Sequence, residues 1–469
     1  MVIYKTNVRR RVFIDKRDMY GLTSRDVIDL HPLLQCIIIS AKTLKILRRK
    51  RKDITRDRKI IRLKQIIKLL SEGVVGILRV DTPIAENASS RNKNTPRRTV
   101  NDFDREGFSD QFRFHSPEDI IRLIEGLGFP PTVKLKRYKL TAQEIVLISL
   151  KRLAYPLRWS DIKRDFPGRS RTALRYAFYY FLDFMIENWG YLILNNRDYW
   201  VDKMVDQAEA IRLKLANLPW VNWRQHFPAA DQPGGFNIFA FIDNTMIKMC
   251  RPGGGPLTDG EAAPRLPKEV QQAWWTGWKK LHGMKWQSVT MANGMDFEIW
   301  GPVSVRHPDA FTLNGSRIEE KLEQCQAGRD LKFKMHGDSA YFDDEYLATG
   351  GGRGMSSVRE SIEWGYKDLK TIWKVCDWRN VLKLRNQPVA KIMFVCFLLN
   401  NIHTTFYACQ TAVHFLIQPP TFEDYISQGP KAHPIPNDII FSNEYNGHQH
   451  HDIYANIADI EMHNDVDND

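Results

Sequence analysis

An α/β protein with a mixed sheet, preceded by an α-helical region, is what this 469-residue sequence predicts. Three observations carry the prediction. Hydrophobic periodicity is helical between about residues 116 and 190 and becomes strand-like near Phe236. FNIFAFID is an almost unbroken apolar run, as in a central strand covered on both faces. After it, extended alternating segments give way to a long helical pattern, which is the composition of an α/β layer.

The elements follow in order. Ser116-Pro117-Glu118-Asp119 supplies an N-cap, a first-turn proline and two first-turn acids before DIIRLIEGLG, and Gly126 and Gly128 can end that helix. Thr141-Ala142-Gln143-Glu144 is a capping box before IVLISLKRLAYPLRW. A short helix follows from about Ser160, Pro167-Gly168 supplies a turn, and Ser170 caps RTALRYAFYYFLDFMIENW. Helix, short helix, turn and longer helix is the outline of a helix-turn-helix, with Arg169, Arg171 and Arg175 at the start of its last helix as candidate DNA contacts. A plain helical bundle with basic surface residues is the competing reading.

Beyond a connecting segment at 191–235 comes the strand ending in Asp243, then Met284 to Ala292, Asn293-Gly294, and Met295 to Trp300. Asn-Gly between extended runs predicts a tight hairpin with positive φ at both turn positions. In that hairpin Met295, Phe297 and Ile299 point one way, and Asp296 and Glu298 the other. LKFKMHGD alternates again, with Leu331, Phe333 and Met335 inward. A glycine-rich break at Gly350, Gly351, Gly352 and Gly354 leads into one helix from Ser356 to about Lys374.

Charge is distributed unevenly. Residues 1–100 hold 25 Lys+Arg and 9 Asp+Glu, a balance of +16 within a total of +13. At the other end, residues 421–469 hold 10 acids and Lys431 alone, a balance of −9. The block Arg48 to Lys52 reads as a solvated basic face, a nuclear-import signal or a phosphate-binding arm. Residues 82–101 have linker composition, and His448-Gln449-His450-His451 lies in an acidic tail from 416 to 469. The six cysteines form no C-x-x-C pair, which argues against a zinc ribbon or a disulfide scaffold and for a reducing compartment. The longest apolar run, Ile392 to Leu399, stops at Asn400-Asn401, so no membrane span is expected, and the first residues show no secretory pattern. At this length, two to four structural units are expected.

Asp243 and Asp338 each close a predicted strand, where carboxylates can converge at a sheet edge without burial. A third acid would come from the helix. Counting about 100° per residue from Val358, Glu363 falls near 140° on the shoulder of the apolar face and Glu360 near 200°, opposite it, so Glu363 is chosen. Three converging carboxylates need a cation, and oxygen donors suit Mg²⁺ or Mn²⁺. Two such ions can activate a hydroxyl and stabilise the leaving oxygen of a phosphodiester.

The residues around these acids resemble the DDE transposases of the PIF/Harbinger superfamily. The blocks are FAFIDNTMIKMCRP, KKLHGMKWQSVTMANGM, GPVSVRHPDAFTLNGSRI with its His-x-Asp and distal Ser, HGDSAY, and VRESIEWGYKDLKTIW with its Arg-x-x-x-Glu. Asn244 departs from the glycine usual after the first aspartate. The resemblance implies an RNase H-like catalytic domain at 236–415, behind a helix-turn-helix region at 101–190, in a nuclear enzyme that cuts and joins DNA. It implies that Asp243, Asp338 and Glu363 hold two divalent ions, Mg²⁺ or Mn²⁺. His282, Lys285 and Gln287 would be near-site residues contacting DNA or the acids, Lys285 and Arg359 would contact DNA, and Lys367, Lys370 and Lys374 would lie along phosphates; polar hairpin positions and a solvated helix face are the plainer readings. Transposon ends and target DNA, a Myb-like DNA-binding partner protein and a homo-oligomer are the partners that fit. A domesticated, catalytically silent DNA-binding protein is the rival from another class.

Overall fold

The structure, a computed structural model, describes residues 97–432 apart from 219–234, 253–270, 273, 330–331, 380–381 and 384–386. The described residues belong to a compact unit that begins at Pro96. The basic block, nearly all of the linker and the histidine-containing tail lie outside the described residues.

The helical region forms at its caps. After α1 (Phe108–Phe112), Ser116 Oγ accepts from the Asp119 amide at 3.2 Å and starts α2 (Pro117–Gly126). Thr141 and Glu144 bond reciprocally at the head of α3 (Ala142–Ala154). Gly168, at φ 78°, turns the chain after α4 (Trp159–Asp165), and Ser170 Oγ accepts from Ala173 N at 3.1 Å to open α5 (Arg171–Trp189). One element there has no counterpart in the sequence expectations: a two-stranded hairpin, β1 (Thr132–Leu135) and β2 (Tyr138–Thr141), directly before α3. The connecting segment also contains α6 (Arg197–Val201) and α7 (Met204–Ala216). Their anchors Trp200, Met204 and Ile211 are buried among neighbours distant in sequence, and their own periodicity is weak.

The sheet is mixed. β3 (Asn237–Lys248) pairs antiparallel with β5 (Leu281–Met291) and parallel with β7 (Phe333–His336). β5 pairs antiparallel with β6 (Asp296–Ser304), and β7 pairs parallel with β8 (Leu347–Ala348). The order is therefore β6-β5-β3-β7-β8, with the two-residue β4 (Trp275–Thr276) beside the start of β5. α8 (Asp309–Ser316) and α9 (Ile318–Gln326) cover the face that carries Asn244, Lys285 and Gln287. α10 (Gly352–Arg359), α11 (Ser361–Ile372) and α12 (Val389–Tyr407) cover the face that carries Asp243, Thr245 and Ser288.

Several local expectations change. Between Met291 and Met295 the turn is a three-residue loop in which, of Asn293 and Gly294, only Gly294 has positive φ (77°); Asn293 instead uses its side-chain oxygen to accept from Met295 N. β6 is buried on both faces and bulged against β5, so Asp296 and Glu298 do not point the same way: Asp296 meets Thr290 on the Ser288 face, and Glu298 pairs with Lys321 of α9 on the other. The expected single helix is two, meeting at Glu360, so a phase counted through from Val358 does not hold across the joint. α12 runs on past Asn400-Asn401. It is the one described helix long and apolar enough to cross a membrane, yet 78% of its central window is buried, since it lies between the sheet and α5. A helix apolar on all sides is what that position demands. Finally, residues 416–432 belong to the packed body and not to the acidic tail. α13 (Gln410–Phe415) leads to α14 (Phe422–Tyr425), whose Phe422 and Tyr425 are fully buried and outweigh the acids beside them.

Candidate active site

Asp243 is not at the end of its strand. It sits in the middle of β3, opposite Ser288, because β5 goes on pairing with β3 as far as Lys248 while β7 stops opposite Phe241. The carboxylate is thus half-buried where one neighbouring strand has ended. Asp338 lies two residues past the end of β7, and its Oδ1 accepts from Ala340 N at 2.9 Å, which holds the turn after the strand. Gly337 is required there: a Cβ would come within 2.7 Å of the Tyr341 ring.

Burial pushes the Asp243 carboxyl up to about 6, and the charges of Asp338 and Asp309 push in the same direction. Opposing them are the Asn244 amide, 2.7 Å from Asp243 Oδ1, and the Arg359 guanidinium, 3.8 Å from Oδ2. Burial is the leading cause, and the neighbouring carboxylates add to it. Arg359 therefore serves Asp243 and does not orient Glu363 as an i−4 neighbour. The two residues stand on different helices.

Glu363 is exposed in the first turn of α11. Three and seven residues on, Tyr366 and Lys370 share its side of the helix. Both reach β3: Tyr366 OH donates to the Asp243 carbonyl at 2.7 Å, and Lys370 Nζ to Thr245 Oγ1 at 3.0 Å. The helix that bears Glu363 is thus laid on the face of the sheet that bears Asp243. Among the described residues, no group of three His, Cys, Asp or Glu side chains is gathered closely enough to hold a metal ion. Asp338 contributes to the electrostatics of Asp243, and Glu363 is exposed on the helix laid over it.

The remaining candidates divide. Lys285 is buried on the opposite face, donating to Asp309 Oδ1 (2.8 Å) and the His307 carbonyl (2.6 Å), and Gln287 donates to Ser316 Oγ (2.9 Å); both clamp α8 to the sheet. His282 packs against Trp275, and burial lowers its pKa. Lys367 is exposed, Lys370 is half-buried with its pKa lowered by burial, and Lys374 lies beyond α11, 3.7 Å from Asp377. Arg169 is turned inward in a two-pronged pair with buried Glu144 (2.7 and 2.5 Å), which makes it a fold residue and not a surface contact. Arg171 is exposed and Arg175 half-buried at the head of α5.

Two features escape the sequence. The first is Asn244, whose Nδ2 lies 2.9 Å from Asp309 Oδ1, Thr312 Oγ1 and Tyr341 OH alike. One amide ties the first-aspartate strand to the His-x-Asp helix and to the second-aspartate turn. The presence of Asp309 and Tyr341 inside two of the quoted motifs was the available signal. The second is a buried hydrogen-bond chain under α11. Asn401 brackets the main chain of Asp296; Thr290 Oγ1 donates to the Asp296 carboxyl (2.6 Å) and lies 3.3 Å from Ser288 Oγ, which donates to Tyr366 OH (2.9 Å). Tyr366 then reaches the carbonyl of Asp243. Burial pushes the Asp296 carboxyl up to about 7. No family model, curated protein or solved structure matches the chain.

Proposed function

We propose that the chain is a DDE-type transposase or endonuclease that cuts and joins DNA phosphodiester bonds, on an RNase H-like sheet like that of the PIF/Harbinger enzymes it resembles in sequence. The observation that supports this reading is the placement of the motif aspartates at two neighbouring parallel strands. Asp243 on the central strand and Asp338 just past the neighbouring parallel strand are electrostatically linked, with the Glu363 helix laid on the same face. The strand order, with three antiparallel strands continued by two parallel ones, agrees with it. Asp243 and Asp338 offer hard oxygen donors with an excess of negative charge, which fits Mg²⁺ or Mn²⁺; Glu363 would complete the set. Bound there, two such ions would supply charge stabilisation and a deprotonated oxygen nucleophile. Arg359 holds Asp243 in the meantime, and Tyr366 holds the helix on the strand.

The experiment is Asp338→Asn, which removes a charged donor at constant volume. Mg²⁺-dependent nicking should be abolished, with DNA binding and thermal midpoint nearly unchanged. A folded variant that nicks normally removes Asp338 from the site. That no three acids are gathered among the described residues, with Glu363 exposed, favours one second reading, a catalytically silent DNA-binding protein; wild-type chain that binds DNA and nicks nothing in Mg²⁺ or Mn²⁺ would establish it.

A further inference from the structure

The hairpin β1–β2 carries Lys134, Lys136, Arg137 and Lys139 in the stretch TVKLKRYKLT, which contains no acid. Val133, Leu135, Tyr138 and Leu140 turn toward the body, and all four cations are exposed. Two features of this hairpin work against stability. Lys134 and Lys139 stand directly opposite each other on the two strands, a like-charge pair of the kind that destabilises a sheet. Lys136 holds φ at 49°, a conformation that favours glycine or asparagine. Lysines that merely protect a strand edge do not need to be paired with each other, because a Lys–Glu pair would protect it without repulsion.

The hairpin abuts α5. Lys136 Nζ lies 5.6 Å from the Tyr176 ring centre, and Ser170, the α5 cap, donates to Tyr138 OH at 3.1 Å. Arg171 and Arg175 therefore continue the basic surface. Among the described residues, Glu144 pairs with Arg169 and Asp165 with Lys151 at 2.6 Å. Tyr138 is buried and Tyr176 is half-buried beneath Lys136, so this surface presents cations and not exposed rings. Single-stranded nucleic acid is gripped by stacking on exposed rings, whereas a duplex offers two rows of phosphates.

We infer that the β1–β2 hairpin, together with the head of α5, is a phosphate-gripping surface for duplex DNA. The inference rests on the DNA-processing reading only for the choice of polymer, since gripping needs neither the carboxylates nor a metal. Lys134, Arg137 and Lys139 supply the contacts from the hairpin.

The test compares the full-length chain with Lys134→Gln/Arg137→Gln/Lys139→Gln, binding a random-sequence DNA duplex in EDTA, so that cleavage plays no part. At about 0.9 per phosphate contact, the slope of log K against log salt should fall by about 2 to 3, with at least ~10-fold weaker binding near 0.1 M salt. The thermal midpoint should hold or rise, since a repulsion is removed, and Lys134→Arg/Lys139→Arg should bind as wild type. A charge-matched control, Arg212→Gln/Arg329→Gln/Lys332→Gln, should keep the slope. An unchanged slope in the hairpin variant, an equal loss in the control, a fallen midpoint, or an equal loss on single-stranded DNA would overturn the proposal. Loss of nicking in Asp338→Asn with intact duplex binding, or the converse, separates this surface from the catalytic reading.

Discussion

At the residue scale, the choice between Glu360 and Glu363 turns on one joint in the chain. Glu360 ends α10 and opens α11, whereas Glu363 lies on the side of α11 that Tyr366 and Lys370 fasten to β3. Glu363→Gln should therefore lose cleavage by at least ~10², as expected when a group that stabilises developing charge is removed, and Glu360→Gln should stay within a few-fold of wild type. Steady-state nicking rates of the two variants decide the matter, and selective loss in Glu360→Gln would transfer the third carboxylate. Asp243 gives a pH prediction with a definite sign. With its carboxyl pushed up to about 6, Asp243 takes up a proton below that pH, and in the proposed reading that proton competes with the cation. The Mg²⁺ concentration for half-maximal nicking should be about tenfold higher near pH 5 than near pH 7. A flat Mg²⁺ requirement across that range would show that Asp243 binds no cation.

At the scale of elements, the buried polar pairs do structural work that their residue types do not announce. Arg169 opens the predicted recognition helix by sequence, yet its guanidinium satisfies Glu144, which is itself the capping residue of α3. Removing one member of a buried pair costs about 3–5 kcal/mol because the other charge is left behind. Arg169→Ala should thus lower the thermal midpoint by several degrees, while DNA affinity of the folded fraction changes little; the reverse pattern would return Arg169 to the DNA surface. Asp296 makes a second case. Its folded pKa is raised, so between about pH 4 and 7 the native state holds a proton that the unfolded chain releases, and stability falls as pH rises through that window. Asp296→Asn mimics the protonated form and should flatten the fall, worth of order 3–4 kcal/mol at about 1.4 kcal/mol per pH unit. Thermal midpoints from pH 4 to 8 measure it, and parallel curves for variant and wild type would contradict the assigned burial.

At the scale of the molecule, the N-terminal helices and the sheet are bound into one body. α12 lies between them, with Lys391 held by Asp183 of α5 on one side and Phe397 against Trp286 of β5 on the other. The chain near the C-terminal end returns to the first helices: Arg122 of α2 pairs with Glu423 of α14, and Tyr407 OH donates to Asp119. The boundary between units falls instead at Thr95–Pro96. Deleting residues 1–95 should leave the folded body intact, weaken DNA binding and flatten its salt dependence, because the +16 balance of residues 1–100 goes with them almost entirely. Equal salt slopes before and after truncation would assign the arm to another role, such as import.

The sequence by itself determined what depends on near neighbours. Ser116, Thr141 and Ser170 cap helices because a hydroxyl two or three residues from an orphan amide acts locally, and the run at Phe236 becomes a central strand because five apolar residues, Ile238 to Ile242, stand in a row within it. The patterns that carry the family resemblance, around Asp243, Asp338 and Glu363, are likewise short and local. What covers the second face of β6, why β3 outruns β7 past Asp243, and which partner Arg169, Lys285 and Arg359 choose were decided only in three dimensions. Each depends on a side chain tens to hundreds of residues away. A buried charge takes the partner that packing brings within about 3–4 Å of it, and local periodicity carries no information about that meeting.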